Sequence, residues 1–165
     1  MRMQITEPDV PDHSFLIAEG AKDGHYTDCF AIEVDGTVTL EAYIQAFYTT
    51  LLFRAERLVL RIAARHPSTD QQVADLARGQ GTQLAIWKVE KRDDTQILLN
   101  AGRTKSCLMV TQLAGKTRLI FGSVVVPEPA KGNKPPRLGP VFDTLLGAHK
   151  VYSRLLLSAA ARNLK

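Results

Sequence analysis

Hydrophobic residues recur at three- and four-residue steps in two long parts of the chain, a spacing typical of one face of an α-helix. In the first part, Leu40–Ile62, we predict Thr39 as the N-cap and a division into two helices at Thr49-Thr50, because β-branched residues lose side-chain freedom in a helix. The second part, Val141–Arg162, predicts a long amphipathic helix that closes the chain. A shorter helix is predicted between Ser68 and Gly79.

Five segments have the β-branched and aromatic residues that are typical of β-strands. Four of them follow one another with only two to four residues between them, which fits antiparallel hairpins because a parallel connection needs a longer crossover. Apolar residues occupy odd-numbered positions of these four strands, so we predict one apolar and one mixed face. The predicted strands are His25–Val34, Gln83–Lys91, Thr95–Asn100, Lys105–Leu113 and Lys116–Val126.

Two segments interrupt this pattern of helices and strands. Residues 1–13 are rich in Pro and Asp and are predicted to form an irregular arm, while residues 127–140 contain five prolines and are predicted to form a long loop. The apolar sheet face and the stripe of the last helix bury each other when they pack together, which predicts an α+β fold. A length of 165 residues fits a single domain.

The composition excludes several classes of protein. With 45% hydrophobic and 23% charged residues, the chain is neither disordered nor fibrous. We expect no export signal and no membrane span, because no apolar run is long enough for either. Cys29 and Cys107 lie in apolar segments without metal-ligand spacing, so we expect two buried, reduced thiols and a cytoplasmic protein. A disulfide between the two stays open.

The charge and the motifs exclude further kinds of site. A net charge of +4 without aromatic residues interleaved among the basic ones does not indicate a nucleic-acid binder. Gly115-Lys116-Thr117 and Gly79-Gln80-Gly81 resemble pieces of phosphate-binding loops, but both lead into strands and lack a required glycine. We therefore expect no cofactor and no metal ion.

Four arginines, three to four residues apart, are predicted to share one face of the second helix. Their mutual repulsion must be relieved by solvent or by anions. The stripe is interpreted either as a solvated face or as a contact for an anionic partner, meaning an acidic protein surface or phosphate groups. Its members are Arg54, Arg57, Arg61 and Arg65.

Several short segments of the chain carry a family likeness: His25–Phe30, Phe47–Thr49, Trp87–Val89, Arg92–Asp94, Ile97–Leu99 and His149–Ser153. In these segments and in its order of elements the chain resembles the START and polyketide-cyclase superfamily (SRPBCC), and within it a bacterial domain family. The resemblance implies a helix-grip fold over the whole chain, in which a curved antiparallel sheet wraps a long C-terminal helix and encloses a cavity. Most members of the superfamily bind hydrophobic small molecules, and some catalyse cyclisation or hydration.

Six residues are candidates to line such a cavity. The carboxyl of Glu56 lies among apolar residues, so it is interpreted either as a buried acid of raised pKa or as an exposed or arginine-bridged group. The imidazole of His149 lies in the apolar stripe of the last helix, either as a ligand contact or as a hydrogen-bonded core histidine. The other candidates, each of which fits a filled core equally well, are Trp87, Met109, Phe121 and Tyr152.

The sequence thus favours binding of a hydrophobic or amphipathic small molecule in a cavity between the sheet and the C-terminal helix. One alternative is an enzyme of the cyclase or dehydratase type that uses Glu56 or His149 as its acid or base. Another is an interaction module with a filled core, which self-associates as a homodimer or docks through the arginine stripe. The sequence assigns no catalytic residue.

Overall fold

The computed structural model describes residues 4–22, 24–63, 65, 67–128 and 138–164. Most of the predicted proline-rich loop, residues 129–137, lies outside the described residues. The helices are α1 (Leu16–Gly20), α2 (Leu40–Tyr48), α3 (Leu51–Ala63), α4 (Asp70–Ala77) and α5 (Pro140–Asn163). The strands are β1 (Tyr26–Asp35), β2 (Gln83–Leu84), β3 (Trp87–Arg92), β4 (Gln96–Ala101), β5 (Thr104–Leu113) and β6 (Lys116–Val125).

The six strands form one antiparallel sheet in the order β1-β6-β5-β4-β3-β2. Strands β2 to β6 form the predicted meander. The last strand, β6, also pairs with β1 along the full length of both strands. Helix α5 packs on β1 and β6, and α2 lies between α5 and β5. This open, curved sheet with the C-terminal helix on one face confirms the prediction of an α+β helix-grip fold. No helix in the described part of the chain is both long enough and apolar enough to cross a bilayer.

Threonine side chains set the boundaries of the first long helices. The Thr39 hydroxyl oxygen accepts a hydrogen bond from the Ala42 N–H at 3.2 Å, which confirms Thr39 as the N-cap of α2. The Thr50 hydroxyl donates to the Phe47 carbonyl at 3.0 Å and accepts from the Phe53 N–H at 3.1 Å. A single side chain therefore closes α2 and opens α3, and the predicted division of the long periodic segment is confirmed.

Two local predictions need correction. The helix expected to open at Ser68 begins at Asp70, with Thr69 as its N-cap, because Thr69 and Gln72 form a reciprocal capping box. The strand expected over Gln83–Lys91 is divided into β2 and β3 by a two-residue turn, in which Ala85 adopts a left-handed backbone with φ of 51°. The short helix α1 is not predicted by the hydrophobic pattern.

The prediction that odd-numbered residues share one sheet face is wrong for β5. The turns on either side of β5 contain two residues each, so odd-numbered residues of β4 and β6 pair with even-numbered residues of β5. Leu108 pairs with both Ile97 and Phe121, and these three side chains join the core under the helices. Met109 lies on the opposite face and packs against Val10 instead.

The opposite face of the sheet is also apolar, and the N-terminal arm and α1 cover it. Thr6 and Ala31 exchange two backbone hydrogen bonds of 2.9 and 3.0 Å, which hold the arm against β1. Leu16 of α1 lies directly over Gly122 of β6, where a Cβ atom would overlap its side chain. The arm and α1 thus cover the apolar part of this face, whereas Glu33 and Arg118 form a partly exposed ion pair on the same face. The expectation that only one side of the sheet is covered is wrong.

Both cysteines lie on this arm-covered face, opposite Gly122 on the neighbouring strands. Both are buried and free, as expected. Burial raises the pKa of the Cys29 thiol to about 11 and that of Cys107 to about 12, so both stay protonated near neutral pH.

The contact between Leu16 and Gly122 generates a testable prediction. The substitution Gly122→Ala should lower the free energy of unfolding by about 1–3 kcal/mol, because the new methyl group overlaps Leu16 and lies 3.1 Å from the Asp28 carbonyl oxygen. Leu16→Ala in the same chain should recover part of this loss. Urea denaturation measures both effects.

Gly147 of α5 provides the matched control. A Cβ atom at Gly147 has nothing within 4 Å, so Gly147→Ala should stabilise the helix by about 0.5–1 kcal/mol. Equal effects of the two glycine substitutions would contradict the proposed packing of α1 on β6.

Candidate functional site

The helix-facing side of the sheet carries an aromatic core. The Phe121 ring of β6 lies 5.0 Å from the Phe47 ring of α2, measured between centroids, and the Trp87 ring of β3 lies 5.1 Å from the Phe53 ring of α3. Two of the three predicted pocket aromatics, Trp87 and Phe121, therefore pack against side chains of the helix layer. This core forms the apolar surroundings of two polar clusters that involve α5.

The first polar cluster joins β1, β6 and α5. Asp28 and Ser123 lie directly opposite each other in the β1–β6 register, and the Ser123 hydroxyl donates to Asp28 Oδ1 at 2.5 Å. The Nε2 atom of His149 lies 2.9 Å from Ser123 Oγ and 3.1 Å from Asp28 Oδ2. The Tyr26 hydroxyl also donates to Asp28 Oδ2, at 3.3 Å. The Asp28 side chain is only 1% exposed, whereas that of His149 is 29% exposed.

These contacts determine the tautomer of a neutral His149. Ser123 has one hydroxyl hydrogen and gives it to Asp28, so towards His149 its oxygen can only accept. The Nε2 atom must therefore carry a hydrogen, and Nδ1 is left as an unprotonated acceptor. The arrangement differs from a Ser-His-Asp triad, in which the serine and the aspartate contact different ring nitrogens.

The second polar cluster joins α3 to α5. The Tyr152 hydroxyl donates to Glu56 Oε2, and both side chains are partly buried. Burial raises the pKa of the Glu56 carboxyl, and the hydrogen bond from Tyr152 opposes part of that rise. Of the interpretations open at Glu56, the structure thus places the carboxyl in apolar surroundings with a tyrosine as partner.

Ser153 follows the α5 members of both clusters, one helical turn after His149 and next to Tyr152 in the chain. The residue is 1% exposed, and its hydroxyl has no hydrogen-bond partner among the described residues. Leaving a buried hydroxyl unsatisfied costs about 1–3 kcal/mol. The buried side of α5 thus presents three polar residues, His149, Tyr152 and Ser153, to the core.

The predicted arginine stripe does not form one continuous face. The Arg57 side chain is buried, and its guanidinium donates to Asp70 Oδ1 at 2.8 Å and to Ser68 Oγ at 2.8 Å. Arg54 binds the other Asp70 oxygen at 2.9 Å, and these contacts hold the pKa of Asp70 below its usual value. Helix α3 ends at Ala63, so Arg65 lies beyond it. Asp70 of α4 is therefore the anion that relieves the repulsion between the first two arginines.

Sequence reasoning named His149, Glu56 and Tyr152 but missed their surroundings. It did not single out Asp28, Ser123 or Ser153. For Asp28 a signal was available, because it alternates with Tyr26 and Phe30 on the side of β1 that faces the core. Ser123 and Ser153 carried no such signal, since isolated serines occur in any environment. The sixth candidate, Met109, lies on the other side of the sheet.

Open surface depressions occur away from these clusters. One of about 500 Å³ lies where the arm, the start of α2, the start of β4 and the end of β5 meet. It is lined by His13, Thr39, Leu40, Asp94, Thr95, Val110, Thr111 and Gln112. Another of about 480 Å³ lies between the arm and β1. It is lined by residues 7–10 of the arm and by Thr27, Asp28 and Cys29 of β1. None of the six predicted pocket residues lines either depression. The described residues contain no group of three or more His, Cys, Asp or Glu placed to hold a metal ion.

Comparisons with known proteins assign no family. No protein-family description matches the sequence, and no curated protein matches it. Among solved structures, the crystal structure of Ara h 8.0201 is similar over 84% of this chain and 98% of its own, with 12% sequence identity and a TM-score of 0.38. The fold assignment therefore depends on the strand order and helix placement of this chain.

The buried carboxyl of Glu56 generates a prediction about pH. Because its pKa in the folded protein lies above the ordinary value of 4.5, the folded state holds the proton more tightly than the unfolded state. The stabilisation from this group is present below that value and is lost as pH rises through the raised pKa. The wild type should therefore lose stability relative to Glu56→Gln as pH rises, as measured by urea denaturation between about pH 4 and 8.

A second variant sharpens this test. Tyr152→Phe removes the hydrogen bond that lowers the pKa of Glu56, so the loss of stability with rising pH should extend to higher pH. Parallel stability profiles for the wild type and Glu56→Gln would show that the carboxyl is not held in apolar surroundings.

Proposed function

We propose that the protein binds a hydrophobic or amphipathic small molecule between the sheet and α5. The observation that carries this proposal is Ser153, whose hydroxyl is fully buried and lacks a partner among the described residues. Hydroxyl groups in a filled core are satisfied by protein atoms, whereas those in a binding site receive a partner from the ligand or from water. A polar group in otherwise apolar surroundings is also what fixes the orientation of a ligand.

The two kinds of side chain in this region suggest how the molecule lies. The Ser153 hydroxyl and the Nδ1 acceptor of His149 hold its polar end on α5. The apolar end lies towards the aromatic core that contains Phe121 and Trp87. Glu56 and Tyr152 close the opening between α3 and α5, since their hydrogen bond joins the two helices. Met109 is no longer a candidate, because it lies on the arm-covered face.

Two broader statements belong to the same proposal. The strand order and the position of α5 support membership of the START and polyketide-cyclase superfamily. The free, buried thiols of Cys29 and Cys107 support a reducing compartment such as the cytoplasm. We propose that residues 1–165 act as one domain, with the arm as an integral cover of the sheet.

Native mass spectrometry of protein purified from cells tests the proposal. We expect a retained mass that disappears on denaturation, and saturable fluorescence enhancement of 1-anilinonaphthalene-8-sulfonate by protein from which that mass has been removed. Ser153→Leu should weaken binding of this probe at least about tenfold, because the larger side chain fills the space beside the buried hydroxyl.

Ser158→Leu is the matched control on the same helix. Ser158 is only partly buried, so the same substitution there should leave probe binding unchanged. Absence of saturable probe binding in the wild type would overturn the proposal, as would equal weakening by the two leucine variants. Circular dichroism checks that both variants fold.

A second candidate function, proton abstraction from the bound molecule, is favoured by the contact between Asp28 and His149. The buried carboxylate of Asp28 lies 3.1 Å from Nε2, so it orients the imidazole with Nδ1 as the acceptor for a substrate proton. In this proposal His149, one helical turn before Ser153 on α5, is the general base. Asp28 then acts as a positioning residue, and His149 as the base.

The ring opening of 5-nitrobenzisoxazole tests this second function. In that reaction a base removes the C–H proton while the N–O bond breaks, giving a nitrile and a phenolate. His149→Gln should lower the rate by about 100-fold, within the range expected for loss of a general base. His13→Gln, at an exposed histidine, should leave the rate unchanged. A rate that is equal in the wild type and His149→Gln would contradict the assignment.

A further inference from the structure

The outward surfaces of α3 and α5 carry exposed apolar side chains that the fold does not use. Of the five large hydrophobic residues exposed in the described part of the chain, four belong to these helices. They are Leu51, 86% exposed, Leu58, 53%, Val151, 58%, and Leu155, 54%. We call these four residues the outer helix patch.

The spacing of these residues places them opposite the buried sides of the helices. Leu51 and Leu58 are seven residues apart, two turns along one face of α3, while Phe53 and Arg57 point into the protein. Val151 and Leu155 lie one turn apart on α5, whose inward face carries Ser153 among its buried residues. The hydrogen bond between Glu56 and Tyr152 holds the two helices side by side.

Basic residues accompany this apolar patch. The two helices contain six Lys or Arg residues but only two acidic ones, Glu56 and Asp143. Four of the six basic side chains are already ion-paired with Asp70 or with Glu7 of the arm. Arg61 and Arg162 are exposed. Glu56 adds little negative charge to this surface, because it is partly buried against Tyr152. Arg61 and Arg162, which form no ion pair with the described residues, are therefore the exposed cations that accompany the outer helix patch.

We propose that the outer helix patch docks the protein onto an anionic phospholipid surface. Leucine and valine side chains on the outward face enter the boundary between headgroups and acyl chains, and Arg61 and Arg162 contact lipid phosphates. An amphipathic helix that presents leucine outwards with arginine beside it has the composition of such interfacial helices. The binding is peripheral and does not require the pocket, so this inference is independent of the proposed ligand.

The charge distribution disfavours a second copy of the chain as the occupant. In a twofold dimer the same patch would face itself, which brings the basic residues of one copy against those of the other. An anionic bilayer instead supplies both the apolar layer and the opposite charge. The proposed partner is therefore the lipid surface, and the experiment below distinguishes binding to lipid from self-association of the protein.

Co-sedimentation with lipid vesicles tests the inference. The full chain should sediment with vesicles of phosphatidylcholine and phosphatidylglycerol but not with phosphatidylcholine alone. Raising the salt from about 0.05 to 0.5 M should reduce binding, because screening weakens the contacts with phosphates. The double variant Leu58→Asp with Leu155→Asp should lose at least about tenfold in partitioning, since two exposed apolar contacts become repelled charges.

Ile17→Asp is the matched control, because Ile17 is the fifth exposed large hydrophobic residue and lies on α1, away from the helix layer. This control should bind vesicles like the wild type. Should the double aspartate variant fail to fold, as judged by circular dichroism, Arg61→Glu with Arg162→Glu serves as the second variant and should also lose binding to anionic vesicles.

Three results would overturn the inference. The first is a wild type that does not sediment with anionic vesicles. The second is binding that the patch variants leave unchanged. The third is a concentration-dependent dimer that the double aspartate variant abolishes while the wild type ignores vesicles, which would assign the patch to a second copy of the chain.

Discussion

The pairing of β1 with β6 is the constraint on which the rest of the structure depends. These strands come from opposite ends of the chain's sheet-forming region, yet they pair over ten residues each. Their register puts Asp28 beside Ser123 on the helix side and Cys29 beside Gly122 on the arm side. The same pair of strands supports α5, so the first polar cluster and the notch that receives Leu16 arise from one register.

The earlier and later turns of helix α5 differ in the kind of side chain that they bury. Leu156, Leu157 and Ala160 on its later turns are buried and complete the core. Its earlier turns place polar groups in apolar surroundings, namely those of His149, Tyr152 and Ser153. Burying polar groups costs free energy, and packing of the helix does not by itself explain why they are there. The packed later turns of α5 thus hold the earlier turns, which carry these polar groups, against the sheet. The proposed ligand lies beside the earlier turns. The opposite surface of the same helix contributes to the outer helix patch.

Much of the fold could be predicted from local pattern, and the exceptions have definite causes. Helix periodicity, the Thr39 cap and the short turns predicted the helices α2 to α5 and the antiparallel meander. The face assignment of β5 was wrong because a two-residue turn pairs odd with even positions, which placed Met109 on the arm side. The predicted arginine stripe is interrupted, because the Arg57 guanidinium is buried against Ser68 and Asp70 and because Arg65 lies beyond the end of α3.

The sequence by itself determined the kind and order of most elements and the α+β class, and it named Glu56, His149 and Tyr152 as candidates for the interior. Only the tertiary structure decided which groups they contact. Helix and strand types follow from periodicity and capping within a few residues, and those interactions are local. The Asp28–Ser123–His149 cluster spans up to 121 positions of the chain, so its members meet only when strand register and helix docking are fixed together.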